Sequence, residues 1–448
     1  MKKHQLLIII SALLGITLAC NLPQFPTQPD FATDAPVHQV VPLTPEIAAN
    51  TDVPLPTITQ NNVPPTVAVA APTTAPIAAP TDTQPAPVAL PAYYPSGFVA
   101  VAGDQRSVTI YNLQGQPLAV VRTPGMSVGS PDSVHVMGSV AGSADNVPVI
   151  FINMENQGRI MHNLNDQITV LIPGPDVANL RGSPGENTFI FTNVWRANDG
   201  SAISQLYVYN PAAGNTTQVH EWIDTNSTVI FPLVFNSAAA SNPNEIWLTH
   251  RLWGIGGDIV FPPQEGLFYF DLTTQQETLV LTVDFKPIGL SPDQAWVAYV
   301  PTDQGCSEGV KLQVTLYDLI SGLMVQIPLV SGNDRGAGYA AFSPDDRYVA
   351  WMEGSGRQMA EVPNFTSLVR VADMNGNIFA NLPVGTLASV TGVANPTWAK
   401  PVGWLDGETL IVEIRGDDWN NPALVRVRFD GSGIAYLAQG GFAGFVYP

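Results

Sequence analysis

The chain has 448 residues, more than one ordinary domain of about 150 residues needs, although repeat folds such as propellers exceed that length as single units. Its 37 acidic and 18 basic residues give a formal charge of −19, which makes nucleic acid and anionic lipid headgroups poor partners. Only two cysteines are present, Cys20 and Cys306, so a disulfide framework and a cysteine-based zinc site are both excluded.

Residues 1–20 have the pattern of an export signal. Lys2 and Lys3 precede about fifteen mostly apolar residues, fewer than the roughly 20 that a membrane-spanning helix needs. The segment ends Ile16-Thr17-Leu18-Ala19-Cys20, which resembles the lipobox of bacterial lipoproteins, although Thr17 stands where leucine is commoner. The resemblance implies that Cys20 carries the lipid anchor and that the protein is extracytoplasmic, on the cell surface or the periplasmic side of a membrane. An ordinary signal peptide is the alternative.

Residues 21–92 have the composition of a disordered tether. Proline, threonine, alanine, valine and glutamine dominate, with 16 prolines in 72 residues and no lysine or arginine between Lys3 and Arg106. Such a segment cannot bury a hydrophobic core. We therefore expect a Pro/Thr-rich linker, glycosylated or passive, that holds the folded part away from the membrane.

Residues 93–448 contain a recurring unit, an alternating strand that ends in Asn or Asp before a turn. Seven copies end at Asn112, Asn163, Asn210, Asp271, Asp318, Asp373 and Asp430, at spacings of 51, 47, 61, 47, 55 and 57 residues. Periods of this size built from short strands are typical of propeller blades. The pattern predicts an all-β, seven-bladed β-propeller, and six or eight blades remain possible.

Two further segments carry a recognisable corner between strands. Ser291-Pro292-Asp293-Gln294 and Ser343-Pro344-Asp345-Asp346 each precede an apolar strand. They resemble the S-P-D-G corner of TolB-like and WD-repeat-like propellers, with Gln294 and Asp346 in place of the glycine. The resemblance covers about residues 93–448 and implies the fold, but that fold hosts many unrelated functions.

The two ends of this region complement each other. Residues 97–102 match the second strand of a blade, and residues 441–447 have the composition of the missing innermost strand. A ring closed by both ends leaves no open sheet edge. We therefore expect one closed, monomeric propeller.

Motifs for catalysis, cofactors or metals are weak throughout the chain. Gly125 to Gly129 matches the G-x-S-x-G elbow, but Ser130-Pro131-Asp132 follows it where that motif needs a helix. No pair of histidines has metal-ligand spacing, and no phosphate or dinucleotide loop occurs. We expect no catalytic residue, cofactor or metal, and the open alternative is a composite metal site in the axial channel.

The long loops indicate where a partner binds. With the strands of a blade labelled a, b, c and d from the axis outward, the b–c loops and d–a crossings emerge at one end, here called the b–c end. The a–b and c–d turns emerge at the other, the a–b end. Aromatic residues among polar ones on loops are typical of recognition surfaces. The candidate binding residues on the b–c loops are Trp195, Asp199, Trp253, Asp258, Phe261, Phe365, Asp417, Asp418 and Trp419.

The sequence therefore predicts a non-enzymatic, membrane-anchored lipoprotein whose propeller binds a protein or glycan at its b–c end. Two alternatives stay open. One is an exported hydrolase or lyase with a metal in the axial channel, which three or more converging His, Asp or Glu side chains would indicate. The other is a structural scaffold of an envelope complex.

Overall fold

The computed structural model of the protein describes part of the chain between residues 94 and 446. The described residues are 94–102, 107–122, 134–139, 148–154, 157–162, 167–172, 177–182, 189–210, 213–226, 228–235, 245–252, 265–301, 313–330, 335–356, 365–417, 419 and 421–446. Of these, residues between 121 and 189 and residues 210, 232–235 and 252 are described by their backbone alone. The predicted signal segment, Cys20 and the tether lie outside this set.

The described strands form seven four-stranded antiparallel sheets. The first contains β1 (Gly97–Val101), β2 (Ser107–Asn112) and β3 (Pro117–Arg122), together with the last strand of the chain, β28 (Gly441–Val446). The second contains β4 (Val134–Ser139), β5 (Pro148–Met154), β6 (Gln157–His162) and β7 (Gln167–Ile172). The third contains β8 (Val177–Gly182), β9 (Phe189–Arg196), β10 (Ala202–Asn210) and β11 (Asn215–Asp224).

The other four sheets follow in chain order. The fourth contains β12 (Thr228–Phe235), β13 (Glu245–Leu252), β14 (Glu265–Asp271) and β15 (Gln276–Leu281). The fifth contains β16 (Phe285–Leu290), β17 (Trp296–Pro301), β18 (Val314–Asp318) and β19 (Met324–Ile327). The sixth contains β20 (Arg335–Phe342), β21 (Tyr348–Ser355), β22 (Thr366–Asp373) and β23 (Ile378–Pro383). The seventh contains β24 (Pro396–Trp404), β25 (Thr409–Gly416), β26 (Ala423–Arg428) and β27 (Ala435–Gln439).

These sheets are arranged as a β-propeller. Each sheet contacts the next along the chain, mostly through its first strand, and the seventh contacts β28 of the first. One short helix, α1 (Val384–Ala388), lies in the crossing from the sixth sheet to the seventh. The predicted all-β propeller is confirmed, and each of the seven recurring strands is the third strand of its sheet.

The core lies between neighbouring sheets. Strand β21 is buried along nearly its whole length, because the fifth and seventh sheets cover its two faces. The outermost strand β23 instead alternates between exposed and buried residues. This difference explains why the middle strands read as continuous apolar runs and the outer ones as alternating.

The corner motifs take the expected conformation. At both corners the serine hydroxyl donates to the aspartate two residues later, from Ser291 to Asp293 at 2.6 Å and from Ser343 to Asp345 at 2.8 Å. Gln294 and Asp346 have φ angles of 60° and 56°. This left-handed conformation suits glycine, so the departures from the motif are strained at those two positions.

Both ends of the described propeller lie in one sheet. Strand β28 pairs with β1 in antiparallel register, from Gly97 opposite Val446 to Val101 opposite Gly441. The Ser96 backbone N–H also donates to the Val446 carbonyl at 2.7 Å. Because β1 is a second strand, its first residue lies at the a–b end, and the chain therefore enters the propeller at that end.

Candidate functional site

Five of the nine candidate binding residues lie in the described part of the chain, and all five are at the same end of the propeller. Trp195, predicted on a loop, lies instead in strand β9, opposite Ile203 of β10. Asp199 lies in the β9–β10 connection, Phe365 in the β21–β22 connection, and Asp417 and Trp419 in the β25–β26 connection. These are second-to-third-strand connections, so they emerge at the b–c end. Trp253, Asp258, Phe261 and Asp418 lie outside the described residues, the first three between β13 and β14.

Asp199 serves its own turn. Its carboxylate accepts the backbone N–H of Ser201 at 2.9 Å. That hydrogen bond lowers the pKa of the Asp199 carboxyl, because it stabilises the ionised form. Trp195, at the end of β9, is half-buried. The carboxylate of Asp199 is exposed, so it can contact a partner while it holds the turn.

Phe365 is part of the core. Its side chain is 4% exposed, and its ring centroid lies 5.9 Å from that of Trp398 on β24. It therefore covers the end of the sixth and seventh sheets and presents little surface to a partner. Loop position alone could not distinguish a ring folded inward from one at the surface.

Trp419 is the exposed aromatic of this group. Its side chain is 39% exposed, and its ring centroid lies 4.9 Å from that of the buried Trp398. The guanidinium of Arg415 lies 5.7 Å from the Trp419 ring centroid. Beside it, the amide nitrogen of Asn395 donates to the Asp417 carboxylate at 3.1 Å.

Residues that the sequence interpretation missed complete this cluster. The Tyr339 ring on β20 lies 5.5 Å from that of Trp398, and Lys400 Nζ lies 4.6 Å from the Tyr339 ring centroid. Within the described part of the chain, the buried Trp398 Nε1 has no hydrogen-bond acceptor. Strand positions with aromatic residues are usual in a core, so the sequence carried no signal that set Tyr339 and Trp398 apart.

Backbone strain is concentrated at the same place. Seven described non-glycine residues have positive φ angles. Three of them, Gln275, Gln294 and Asp346, lie in turns between strands. The other four are close to Trp398 in space or on the adjoining connections: Tyr339 at 53°, Asn395 at 43°, Trp419 at 57° and Asn421 at 50°. Strained backbone persists where surrounding contacts hold it, and it often marks functional sites.

The buried carboxylates of the sixth and seventh sheets are occupied by structural bonds. Glu353 accepts from Arg370 at 2.6 Å, from the Val330 backbone N–H at 3.0 Å and from Trp351 at 3.2 Å. Glu413 accepts from Arg415 at 2.6 Å and from the Phe442 backbone N–H at 2.7 Å. Buried charges that are paired and hydrogen-bonded in this way hold strands together and are poor candidates for catalysis.

A shallow cavity of about 350 Å³ opens at the a–b end of the sixth and seventh sheets. Its charges are paired, Arg347 with Asp345 at 2.6 Å and Arg428 with Glu408 at 2.7 Å. The cavity is lined by Tyr94, Asp345, Arg347, Asp406, Gly407, Glu408, Thr409 and Arg428. The first described residue, Tyr94, thus lies beside the a–b corners of these two sheets.

No group of three or more His, Cys, Asp or Glu side chains in the described ranges is placed to hold a metal ion. Among the same residues, no helix has the length and apolarity needed to cross a membrane.

Several solved β-propeller structures are similar to this chain at low sequence identity. Neither a protein-family model nor a curated protein matches the chain. Among solved structures, a putative TolB from Agrobacterium tumefaciens is 12% identical, over 65% of this chain and 90% of that chain, with a TM-score of 0.37. The β-propeller domain of the Trilobed protease from Pyrococcus furiosus is 9% identical, over 74% of this chain and 86% of that chain, with a TM-score of 0.42.

Enzymes with additional domains are also similar. A prolyl endopeptidase is 11% identical, with a TM-score of 0.48, and the match covers 77% of this chain but only 50% of that chain. The predicted resemblance to TolB-like propellers is therefore confirmed for the fold. At these identities the likeness extends to the fold alone, which hosts both enzymes and binding proteins.

Proposed function

We propose that the protein is an exported lipoprotein, anchored to a bacterial membrane through Cys20, whose propeller binds a partner at its b–c end. In this proposal each of the seven sheets is one blade of the propeller. The propeller binds its partner and catalyses no reaction. The partner is a protein or a glycan of the cell envelope or its surroundings.

The position at which the chain enters the propeller is the main support for this function. Tyr94 and Gly97 lie at the a–b end, opposite the loop that carries Asp417 and Trp419. A tether that reaches the propeller at the a–b end leaves the b–c end free to face away from the membrane. An exposed tryptophan at that end offers a large contact area with little loss of side-chain entropy.

Anchoring is tested by replacement of Cys20. A thioether-linked lipid requires the cysteine thiol, so the Cys20→Ser protein should appear in the soluble fraction or keep its signal segment. The measurement is immunoblotting of membrane and soluble fractions. Cys306→Ser is the matched control and should remain in the membrane fraction. Normal processing and full membrane retention of Cys20→Ser would overturn the anchoring proposal.

The binding end is tested by capture from detergent-solubilised membranes. The Trp253→Ala, Trp419→Ala double variant should lose partner capture, because loop aromatics commonly contribute about 2 kcal/mol or more each to an interface. The control is the Phe379→Ala, Tyr436→Ala double variant, which removes exposed aromatics from the outermost strands β23 and β27. Wild-type capture by a folded Trp253/Trp419 variant would show that the partner binds elsewhere.

A further inference from the structure

We propose that the b–c end of the seventh sheet is a binding site for a neutral pyranose sugar, with the Trp419 ring as its stacking platform. This inference rests on the proposed function and narrows its ligand from a protein or glycan to one class of sugar. The site consists of Trp419, Trp398, Arg415, Asn395 and Asp417, and is called here the Trp419 platform.

The ring of Trp419 is exposed and supported at the same time. It is 39% exposed, while Trp398 packs against it at 4.9 Å between ring centroids. The Arg415 guanidinium lies 5.7 Å from the same ring. A pyranose presents a flat face of C–H groups, which packs well on an aromatic ring. Because the ring is already fixed by Trp398 and Arg415, little side-chain entropy is lost when a sugar stacks on it.

The support beneath the ring is the buried indole of Trp398. Trp398 is 4% exposed, and its Nε1 has no acceptor among the described residues. A buried donor without an acceptor costs about 1–3 kcal/mol. The indole also packs against Phe365 and Tyr339, so it is fixed in the core and forms a wide, rigid base for Trp419.

The loop that carries the platform is held on both sides. On one side, Gln439 Nε2 donates to the carbonyls of Asn421 at 3.1 Å and Pro422 at 2.8 Å. On the other side, Gly416 packs so closely on the Ala394 carbonyl that a side chain at 416 would collide with it. These contacts keep the left-handed backbone of Trp419 and Asn421 in place. The platform is therefore preorganised, which reduces the entropy cost of binding.

The polar groups beside the ring match sugar hydroxyls. Asn395 and Asp417 are both exposed, and a single hydrogen bond of 3.1 Å joins them. An amide offers two N–H donors and an acceptor, and a carboxylate offers about four acceptor positions, so most of their bonding capacity is open. Hydroxyl groups both donate and accept, and they can bind these two side chains together.

Charge favours a neutral sugar over an acidic one. The chain carries a formal charge of −19, and Asp417 places a carboxylate beside the ring. The one cation against the ring, Arg415, is paired with Glu413 at 2.6 Å. Lys400 lies over the Tyr339 ring rather than over Trp419, so a polyanionic chain stacked on Trp419 would meet the Asp417 carboxylate and a guanidinium that is already paired.

The experiment is titration of the full-length protein in detergent with three hexasaccharides, followed by tryptophan fluorescence and calorimetry. Two probes are neutral, the β-1,4-linked hexamers of glucose and of N-acetylglucosamine, and one is acidic, a hexagalacturonate. We expect at least one neutral hexamer to bind saturably and the acidic one to bind at least tenfold more weakly. Trp419→Ala should weaken binding by about tenfold or more.

Further variants separate the platform from general stability. Trp419→Phe keeps a ring on Trp398 and should retain intermediate affinity, and Asn395→Ala should weaken binding several-fold. Tyr436→Ala, on the outermost strand β27, should bind as the wild type does. The proposal is overturned if neither neutral hexamer binds up to about 10 mM, if hexagalacturonate binds more tightly, or if folded Trp419→Ala binds with wild-type affinity.

These experiments distinguish failure of the sugar-binding proposal from failure of the proposed function. If no sugar binds but the Trp253/Trp419 variant loses capture of a protein from solubilised membranes, the b–c end is a protein-binding surface and the sugar proposal alone is wrong. If neither sugar binding nor capture depends on Trp419, both proposals are wrong.

Discussion

Deletion of residues 441–448 is expected to lower the melting temperature by about 10 °C or more, or to prevent folding. The deleted segment contains β28, the innermost strand of the first sheet, which pairs with β1 from Gly97 to Val101. Without it, one edge of β1 is unpaired and the seventh sheet loses its contacts with β28. An open edge of this kind also promotes aggregation.

The size of the effect follows from what β28 contributes. Phe442 and Phe445 pack against each other at 4.9 Å between ring centroids and against the core formed by the first and seventh sheets. The Phe442 backbone N–H donates one of the hydrogen bonds that the buried Glu413 carboxylate accepts. The loss of two aromatic side chains and a buried hydrogen bond lowers the free energy of unfolding by several kcal/mol. Typical domains have only about 5–15 kcal/mol of stability in total.

The measurement is thermal unfolding followed by circular dichroism. The matched control is removal of Tyr447 and Pro448 alone, which follow the last paired residue Val446, and it should melt as the wild type does. The less drastic Phe442→Ala, Phe445→Ala double variant should fall between the two. A chain truncated at residue 440 that melted at the wild-type temperature would show that closure contributes little to stability.

The fold could be predicted because it repeats. A strand that ends in Asn or Asp occurs seven times, and the aspartates that end it accept backbone N–H bonds in the following turn, as Asp318 does from Ile320 at 2.8 Å and from Ser321 at 3.1 Å. Because this turn chemistry is local, it is visible in the sequence. The missing innermost strand of the first sheet was likewise visible, because the C-terminal segment had no other blade to complete.

The candidate site could be predicted only in part, because exposure depends on packing between sheets. The sequence predicts both Phe365 and Trp419 on b–c loops and gives no reason to prefer either one as a binding residue. In the structure Phe365 is 4% exposed and Trp419 is 39% exposed, since Phe365 fills the space beside Trp398 and Trp419 lies on the outer side of the same ring. No local pattern distinguishes these two positions.

At pH 8, Asp346→Asn is expected to stabilise the protein by about 1 kcal/mol more than it does at pH 5. The pKa of the Asp346 carboxyl is raised from 3.8 to about 7. Burial is the largest cause, and the negative charges of Asp293 and Asp345 contribute to the same rise. Asp346 Oδ1 also has no hydrogen-bond donor among the described residues. The corner therefore favours the protonated form of Asp346.

The sign follows from proton binding. Between about pH 4 and pH 7 the folded protein keeps the Asp346 proton that the unfolded chain releases, so the free energy of unfolding falls as the pH rises through this window. Above pH 7 the folded state holds an unfavourable carboxylate. Asparagine removes that charge, and it tolerates the φ angle of 56° at this position. The value of about 1 kcal/mol allows for solvent screening at a partly exposed corner.

The measurement is chemical denaturation of the variant and the wild type at both pH values, so that the titration of other carboxylates cancels in the difference. Asp345→Asn is the matched control, one residue away. It should destabilise at both pH values, because the Asp345 carboxylate accepts from Ser343 Oγ at 2.8 Å and from Arg347 Nε at 2.6 Å. If Asp346→Asn changes stability equally at pH 5 and pH 8, its carboxyl does not titrate near neutrality, and the strain at this corner arises from backbone conformation alone.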